Sequence, residues 1–299
     1  LERSSVCMQT NPVRRAIMKS PFHLLSLAFL VTALIGCGPE KDTEDSRSAD
    51  STEEAAPQQV QSWPVFRGDP NQRGVVDTEL SAPLELAWSF ETEFPIVATA
   101  VIQDGRVFVG TTGGQFYCVD LESGEQIWEW ESEDSWSIEG PAALVGDGVF
   151  FGDQDGMIRR LDQATGELDW SYETEGEILG GPSFFKLEDG RTLIIVGSYD
   201  FFLHGIDSET GEKVWAVETE NYVASTPSVD VETGATTFGG CDAFVYVIDA
   251  NTGEKQSQIE VGSYIANTCV VADGIVYVAH HGNEVQAFDL ASGENVWTF

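Results

Sequence analysis

From residue 84 to the end of the chain the apolar residues fall in short runs closed by Gly, Asp or Asn, and the runs recur in phase. VDLESGEQIW, LDQATGELDW, IDSETGEKVW, IDANTGEKQS and FDLASGENVW each carry an Asp followed four and five residues later by Gly-Glu. Asp120, Asp162, Asp207, Asp249 and Asp289 stand 42, 45, 42 and 40 residues apart, room for one four-stranded antiparallel unit each. In the second unit, residues 140–148, 148–156, 157–166 and 167–174 each give an apolar run, with turn residues between consecutive runs. Two of those turns hold Asp-Gly, whose tolerance of positive φ suits tight hairpins.

The third run of each unit says where the strands sit. The residues one and four before the repeated Asp are apolar in every copy: Val119 and Phe116, Leu161 and Ile158, Ile206 and Leu203, Ile248 and Val245, Phe288 and Val285. An odd separation puts the members of each pair on opposite faces of a strand. Both faces are therefore buried, as in a β-propeller, where each blade lies between two others. The prediction is an all-β chain of four-stranded antiparallel blades.

The repeated residues read as structure. Asp120, Asp162, Asp207, Asp249 and Asp289 close Asx-type turns through the backbone two residues on. Gly124, Gly166, Gly211, Gly253 and Gly293 take the left-handed conformation that reverses the chain. Trp128, Trp170, Trp215 and Trp297, four residues after the Gly, provide wedges between blades. Ser257 takes that place in the fourth copy, so its junction should pack differently.

These five in-phase copies resemble the pyrroloquinoline quinone (PQQ) enzyme repeat. That repeat is found in quinoprotein dehydrogenases and in BamB-type lipoproteins of the outer-membrane β-barrel assembly machinery. The resemblance spans residues 84–299 and is specific for the fold, not for an activity. Trp63-Pro64-Val65-Phe66-Arg67-Gly68, with Asn71 and Gly74, is similar to the leading segment of such lipoproteins, which makes 63–83 a strap packing Trp63 and Phe66 on the propeller. Residues 86–92 resemble an outer strand without its three partners. Five repeats plus one orphan strand imply an incomplete seven- or eight-bladed ring; closure with five or six blades is the alternative.

The N-terminal region adds an expectation about location. Met18-Lys19 and the apolar stretch 22–35 have the layout of a secretory signal, with the true start at Met18 and Cys7 upstream of it. Leu34-Ile35-Gly36-Cys37 resembles a lipobox, which implies cleavage before Cys37 and a diacylglycerol anchor on its thiol; Gly38 favours the outer membrane. The expected domains are a signal segment (1–36), a disordered acidic tether (37–62), the strap (63–83) and the propeller (84–299). Fifty acidic against 15 basic residues give a net charge of -35. Such a surface repels nucleic acid and is either a solvated coat or a lure for a basic partner or divalent cation.

A quinoprotein dehydrogenase would, by the resemblance, hold PQQ and calcium beside a vicinal Cys pair and a catalytic Asp. No Cys-Cys pair occurs. Cys118, Cys241 and Cys269 are scattered, and a disulfide between two of them stays open. His280-His281 and Asp153-Gln154-Asp155-Gly156 read as turns rather than metal sites. The elements of a protein kinase are missing. No catalytic residue, metal site or cofactor is therefore expected.

Where the first strands lead into the channel the copies diverge, placing Trp136, Glu139, Ile178, Tyr222 and Tyr264 on one rim. They form either a binding patch or inter-blade packing. The functional expectation is a non-catalytic, lipid-anchored scaffold on the periplasmic face of the outer membrane, with a protein or peptide partner. A PQQ-binding sensor or dehydrogenase remnant is the alternative.

Overall fold

A computed structural model describes residues 62–76 and 82–299. Cys37, the signal segment and the tether up to residue 61 lie outside the described residues. Among the described residues, twenty strands form five four-stranded antiparallel sheets. The first blade holds β1 (Val101–Gln103), β2 (Arg106–Gly110), β3 (Gln115–Asp120) and β4 (Gln126–Glu131). The second holds β5 (Ala143–Val145), β6 (Gly148–Gly152), β7 (Met157–Asp162) and β8 (Leu168–Glu173). The third holds β9 (Ser183–Lys186), β10 (Thr192–Gly197), β11 (Phe202–Asp207) and β12 (Lys213–Glu218). The fourth holds β13 (Ser228–Val229), β14 (Ala235–Gly239), β15 (Phe244–Asp249) and β16 (Lys255–Glu260). The fifth holds β17 (Val270–Ala272), β18 (Ile275–His280), β19 (Glu284–Asp289) and β20 (Asn295–Thr298). Strands pair in sequence order, and the first strands contact one another from blade to blade, so β1, β5, β9, β13 and β17 form the inner edge.

Burial follows the odd-spaced pairs in the third strands. All of their residues are buried except Val285 in β19, which is 38% exposed. Each outer strand slips register where the third strand comes within two residues of its Asp, at Cys118/Val119, Arg160/Leu161, Gly205/Ile206, Val247/Ile248 and Ala287/Phe288. Such a bulge adds twist and re-aims the side chains beside it.

The next side chain along each of the first three outer strands is the wedge. Trp128, Trp170 and Trp215 donate their indole N–H to Gln163 O (3.0 Å), Ser208 O (3.1 Å) and Ala250 O (3.0 Å) in the turn of the following blade. Each ring lies against that turn's glycine: a Cβ on Gly166, Gly211 or Gly253 would stand 2.7 Å from it. Those glycines also hold φ between 72° and 75°, so they meet two demands at once. Residues 86–92 join no ladder, yet Trp88 makes the same contact, bonding Leu121 O at 2.9 Å and covering Gly124. At Ser257 the wedge is missing and Ile259 lies nearest Gly293. Trp297 is 42% exposed and tilts against Tyr277.

The Asp turns close as hydrogen-bonded units. Asp120 Oδ1 accepts from the N–H of Glu122 and Ser123 and from Ser123 Oγ; Asp162 does the same with Ala164 and Thr165. Asp207, Asp249 and Asp289 accept from backbone amides two or three residues on. The amide of Ser123, Thr165 or Ser292 is the main reason that the carboxyl pKa of Asp120, Asp162 or Asp289 lies below the ordinary carboxylate range.

The strap crosses the inner edges. Trp63 exchanges two backbone bonds with Ile102 of β1 (2.7 and 2.9 Å), and Pro64 O accepts from Leu144 of β5 (2.7 Å). Pro70 O then accepts from Val229 of β13 (2.7 Å), and Asn71 O from Val271 of β17 (3.1 Å). All four partners are the second residue of an inner strand, whose outward amide would otherwise be an unpaired sheet edge. Trp63 and Phe66 are half-buried, whereas Val65 and Pro70 are buried.

Two outcomes follow. Trp128→Ala should cost about 3–5 kcal/mol in chemical denaturation, as large buried aromatics do, whereas Trp297→Ala should change the midpoint little. Because Asp120, Asp162 and Asp289 have folded-state pKa values below the unfolded ~3.9, their contribution is complete above that pH and is lost as pH falls through the lowered values. Thermal unfolding should therefore show a drop in Tm below about pH 4, and Asp162→Asn should flatten it.

Candidate binding rim

The blades present two rims. One carries the Asp turns, each bonded to the turn joining the first two strands of its blade: Leu121 N to Gly105 O, Gln163 N to Asp147 O, Ala250 N to Gly234 O. The other carries the turns between second and third strands, together with the segments that lead from each outer strand into the next inner one.

On this second rim a repeated clasp ties neighbouring blades. The amides of Ile138, Ile178, Val223 and Ile265 donate to Thr111, Asp153, Ser198 and Gly240 in the turn of the preceding blade, at 3.0 to 3.2 Å. The carbonyl one residue earlier accepts from the blade's own turn, as in Gln154 N to Ser137 O and Tyr199 N to Glu177 O. The β-branched side chains are fully buried and fill the space left by Gly110, Gly152, Gly197 and Gly239, where any Cβ would collide with them.

That geometry corrects the rim assigned from sequence. Ile178 belongs to the clasp and the core, equivalent to Ile138, and is not a surface residue. The sequence alignment slipped there, because Tyr222 and Tyr264 occupy the position before the clasp residue, Trp136 two before it and Glu139 one after. The last four do reach the surface, in different settings. Trp136 is 42% exposed. Glu139 accepts from Gln154 Nε2 at 3.0 Å and Ser137 Oγ at 3.2 Å. Tyr222 stacks on Tyr199 with ring centroids 4.4 Å apart, and Tyr264 on His281 at 4.1 Å.

A cleft of about 500 Å³ opens between the second and third blades. Gln154, Asp155, Glu173, Thr174, Glu175, Gly176, Glu177, Tyr199 and Tyr222 line it, so it joins Tyr222 and, through Gln154, Glu139, but neither Trp136 nor Tyr264. Its acidity has a local cause in Glu-[Ser/Thr]-Glu after the outer strand, at 91–93, 131–133, 173–175 and 218–220. The middle residue turns inward: Thr174 Oγ1 bonds Gly156 O and Gly176 O, and Thr219 Oγ1 bonds Phe201 O and Asn221 O. Both flanking glutamates then face solvent. This period was present in the sequence and was missed beside the stronger Asp-Gly-Glu signal.

The turn behind Tyr199 is fixed by a buried relay. Tyr172 Oη lies 3.2 Å from His204 Nδ1, and His204 Nε2 lies 3.0 Å from Asp200 Oδ2. Burial works against the Asp200 charge, but the His204 bond and the amides of Phe202 and Glu175 outweigh it and hold its pKa below the ordinary value. Phe201, next in the turn, has φ +77°, where the first and second blades have Gly114 and Gly156. It is 41% exposed and tilts against Tyr222 at 5.1 Å. A bulky side chain at positive φ is strained.

The remaining candidates resolve as turns and core. Asp153 accepts from the amides of Asp155 and Met157 and pairs with Arg159. His280 Nδ1 accepts from Gly282 N, while His281 points outward onto Tyr264. No disulfide joins Cys118, Cys241 and Cys269; burial pushes the thiols of Cys118 and Cys269 up to about 12. Among the described residues no three His, Cys, Asp or Glu converge on a metal position, and no helix is long and apolar enough to cross a membrane. No two cysteines are adjacent, and the strap lies across four of the inner edges.

Blades locked by indole wedges, a strap across their inner edges and an acidic, aromatic rim define a β-propeller of the quinoprotein-like repeat class. Residues 73–299 match the family model described as outer membrane protein assembly factor BamB, and the chain belongs to that family. The crystal structure of BamB from Moraxella catarrhalis superposes with a TM-score of 0.62 at 24% identity, covering 71% of this chain and 64% of that one. Quinohemoprotein alcohol dehydrogenase from Comamonas testosteroni gives 0.67 at 18% identity, covering 80% and 49%. A europium-containing methanol dehydrogenase gives 0.68 at 14%, covering 81% and 58%. The chain thus spans about half to two-thirds of the length of these structures, and at such identities they show the fold alone. No curated protein matches the chain.

Replacing Phe201 by Gly relieves the backbone at φ +77° and should raise stability by about 1 kcal/mol, measured by thermal unfolding. A stability loss would show that the Phe201–Tyr222 contact outweighs the strain.

Proposed function

We propose that this protein is a non-catalytic scaffold of the bacterial cell envelope. It holds a protein or peptide against the rim that bears Tyr222 and so assists outer-membrane protein assembly, the role that the family's name gives. Membership of that family over residues 73–299 is the observation that carries the reading. The rim supports it: two aromatic pairs and a cleft lie on the face where the blades diverge in sequence, while the opposite rim repeats one closed turn five times. The anchor in this reading is a lipid on Cys37, which places the propeller at the periplasmic face of the outer membrane.

Radiolabelled palmitate should enter the wild-type protein and not Cys37→Ala; equal labelling of both would remove the anchor from the reading. A photo-crosslinking amino acid in place of Tyr222 should capture a component of the outer-membrane assembly machinery. The same group in place of Glu212, on the opposite rim, should not. Adducts absent at both positions, or equal at both, would count against a scaffold that works through this rim.

A further inference from the structure

We infer that the cleft between the second and third blades takes a cationic peptide segment, its Arg or Lys side chains set between Glu173, Glu175, Glu177 and the Tyr199–Tyr222 pair. The inference rests on the scaffold reading and names the chemistry of its partner. Asp155, Glu173, Glu175 and Glu177 line the cleft, all four are exposed, and no Lys or Arg lines it. None of the four forms an ion pair among the described residues, although Asp147, Asp169, Asp189 and Glu209, also on the surface, do. Like charges around one hollow repel each other, and nothing in the fold requires them there: Thr174 makes the structural bonds of its turn while its two glutamate neighbours make none with their side chains.

The aromatic pair is independent of the carboxylates and selects among cations. Tyr222 lies over Tyr199 with an interplanar angle of 21°, and both rings line the cleft. A tyrosine face attracts a guanidinium or ammonium group, most strongly where the cation is partly desolvated. The molecule already stacks cations on rings elsewhere, with Arg159 over Trp130 and Lys255 over Tyr246. A compact divalent ion would need donors that converge, and no such set exists among the described residues. Exposed ion pairs are individually weak. A cleft with several spaced carboxylates therefore favours an extended segment with several cations over a lone ion. The net charge of -35 draws such a segment in from a distance.

The test is fluorescence anisotropy at physiological salt with a fluorescein-labelled peptide of alternating Arg and Ser. Its competitor arm uses calcium alone. The wild-type chain should bind. The Glu173→Gln/Glu175→Gln/Glu177→Gln variant should bind about tenfold or more weakly, and Tyr222→Ala should also weaken binding. Glu125→Gln/Glu167→Gln/Glu212→Gln, with the same charge change on the opposite rim, should bind as wild type. Equal losses in both triple variants would reduce the effect to bulk charge and overturn the inference. Displacement of the peptide by one equivalent of calcium would overturn it in favour of an ion site. Failure of the wild-type chain to bind would overturn it too, while the crosslinking result at Tyr222 still decides the scaffold reading separately. The glutamines leave packing untouched, so the test stands even if Tyr222→Ala unfolds.

Discussion

The contact on which the other features depend is the one between an indole and a glycine. A four-stranded sheet has two faces to cover, and only a neighbouring sheet at the correct angle covers them. Here the angle is fixed by a side chain of one blade resting on the backbone of the next, with its N–H bound to the carbonyl one residue past the turn's Asp. The glycine must have no Cβ because the ring occupies that space, and it must hold positive φ because the turn reverses there. Either demand alone selects glycine; together they explain why the Asp-x-x-x-Gly spacing stays constant while the residues between vary. Trp88 shows that the wedge does not need its own ladder, since it makes the contact from a segment outside every sheet.

Wedges act between neighbours and add up around the blades, whereas the strap acts across them. A run of some ten residues bonds four of the five inner strands at the same register position. Inner strands are short, and β13 has only two residues, so their own ladders hold them weakly. Capping the outward amides converts four free edges into shared hydrogen bonds. The strap also carries its own compact turn: Trp63 folds over Gly68, whose φ is +86°. The β-branched clasp then does at the second rim what the indole does at the first, using the same device of a side chain seated on a glycine.

The fold was legible in the sequence because its determinants are periodic. The Asp, the Gly, the Trp and the two-sided third strand each recur, and through the first four blades the structure places them where the period puts them, including the altered junction at Ser257; in the fifth blade Trp297, expected as a wedge, and Val285, expected to be buried, are exposed. The rim was legible only in part. Tyr222 was found because it is aromatic at a divergent position, and Ile178 was misplaced because an apolar residue in a lead-in segment looks alike whether it faces solvent or fills the hollow above a glycine. Only the collision of Gly152 with its side chain separates the two cases. Tyr199 and Phe201 escaped notice because they come from the preceding blade's turn and meet Tyr222 through space. The strain at Phe201 has no sequence signature at all, since only comparison with the backbone at Gly114 and Gly156 reveals it.

The two rims treat the same chemical group in opposite ways. On one, Asp120, Asp162 and Asp289 turn inward onto backbone amides, and the bonds they accept are the reason their charge is stabilised. On the other, a threonine or serine takes the inward place and the glutamates on either side are left facing water. Acidic composition alone does not distinguish these cases, because both contribute equally to the net charge. The position of the hydrogen bonds does. A carboxylate saturated by its own turn has little left to offer a partner, while one released by a neighbouring hydroxyl keeps its full capacity as an acceptor. The aromatic pairs are found on the rim where that capacity is kept. Structure has thus separated the acidic residues that build the propeller from those available to meet something else.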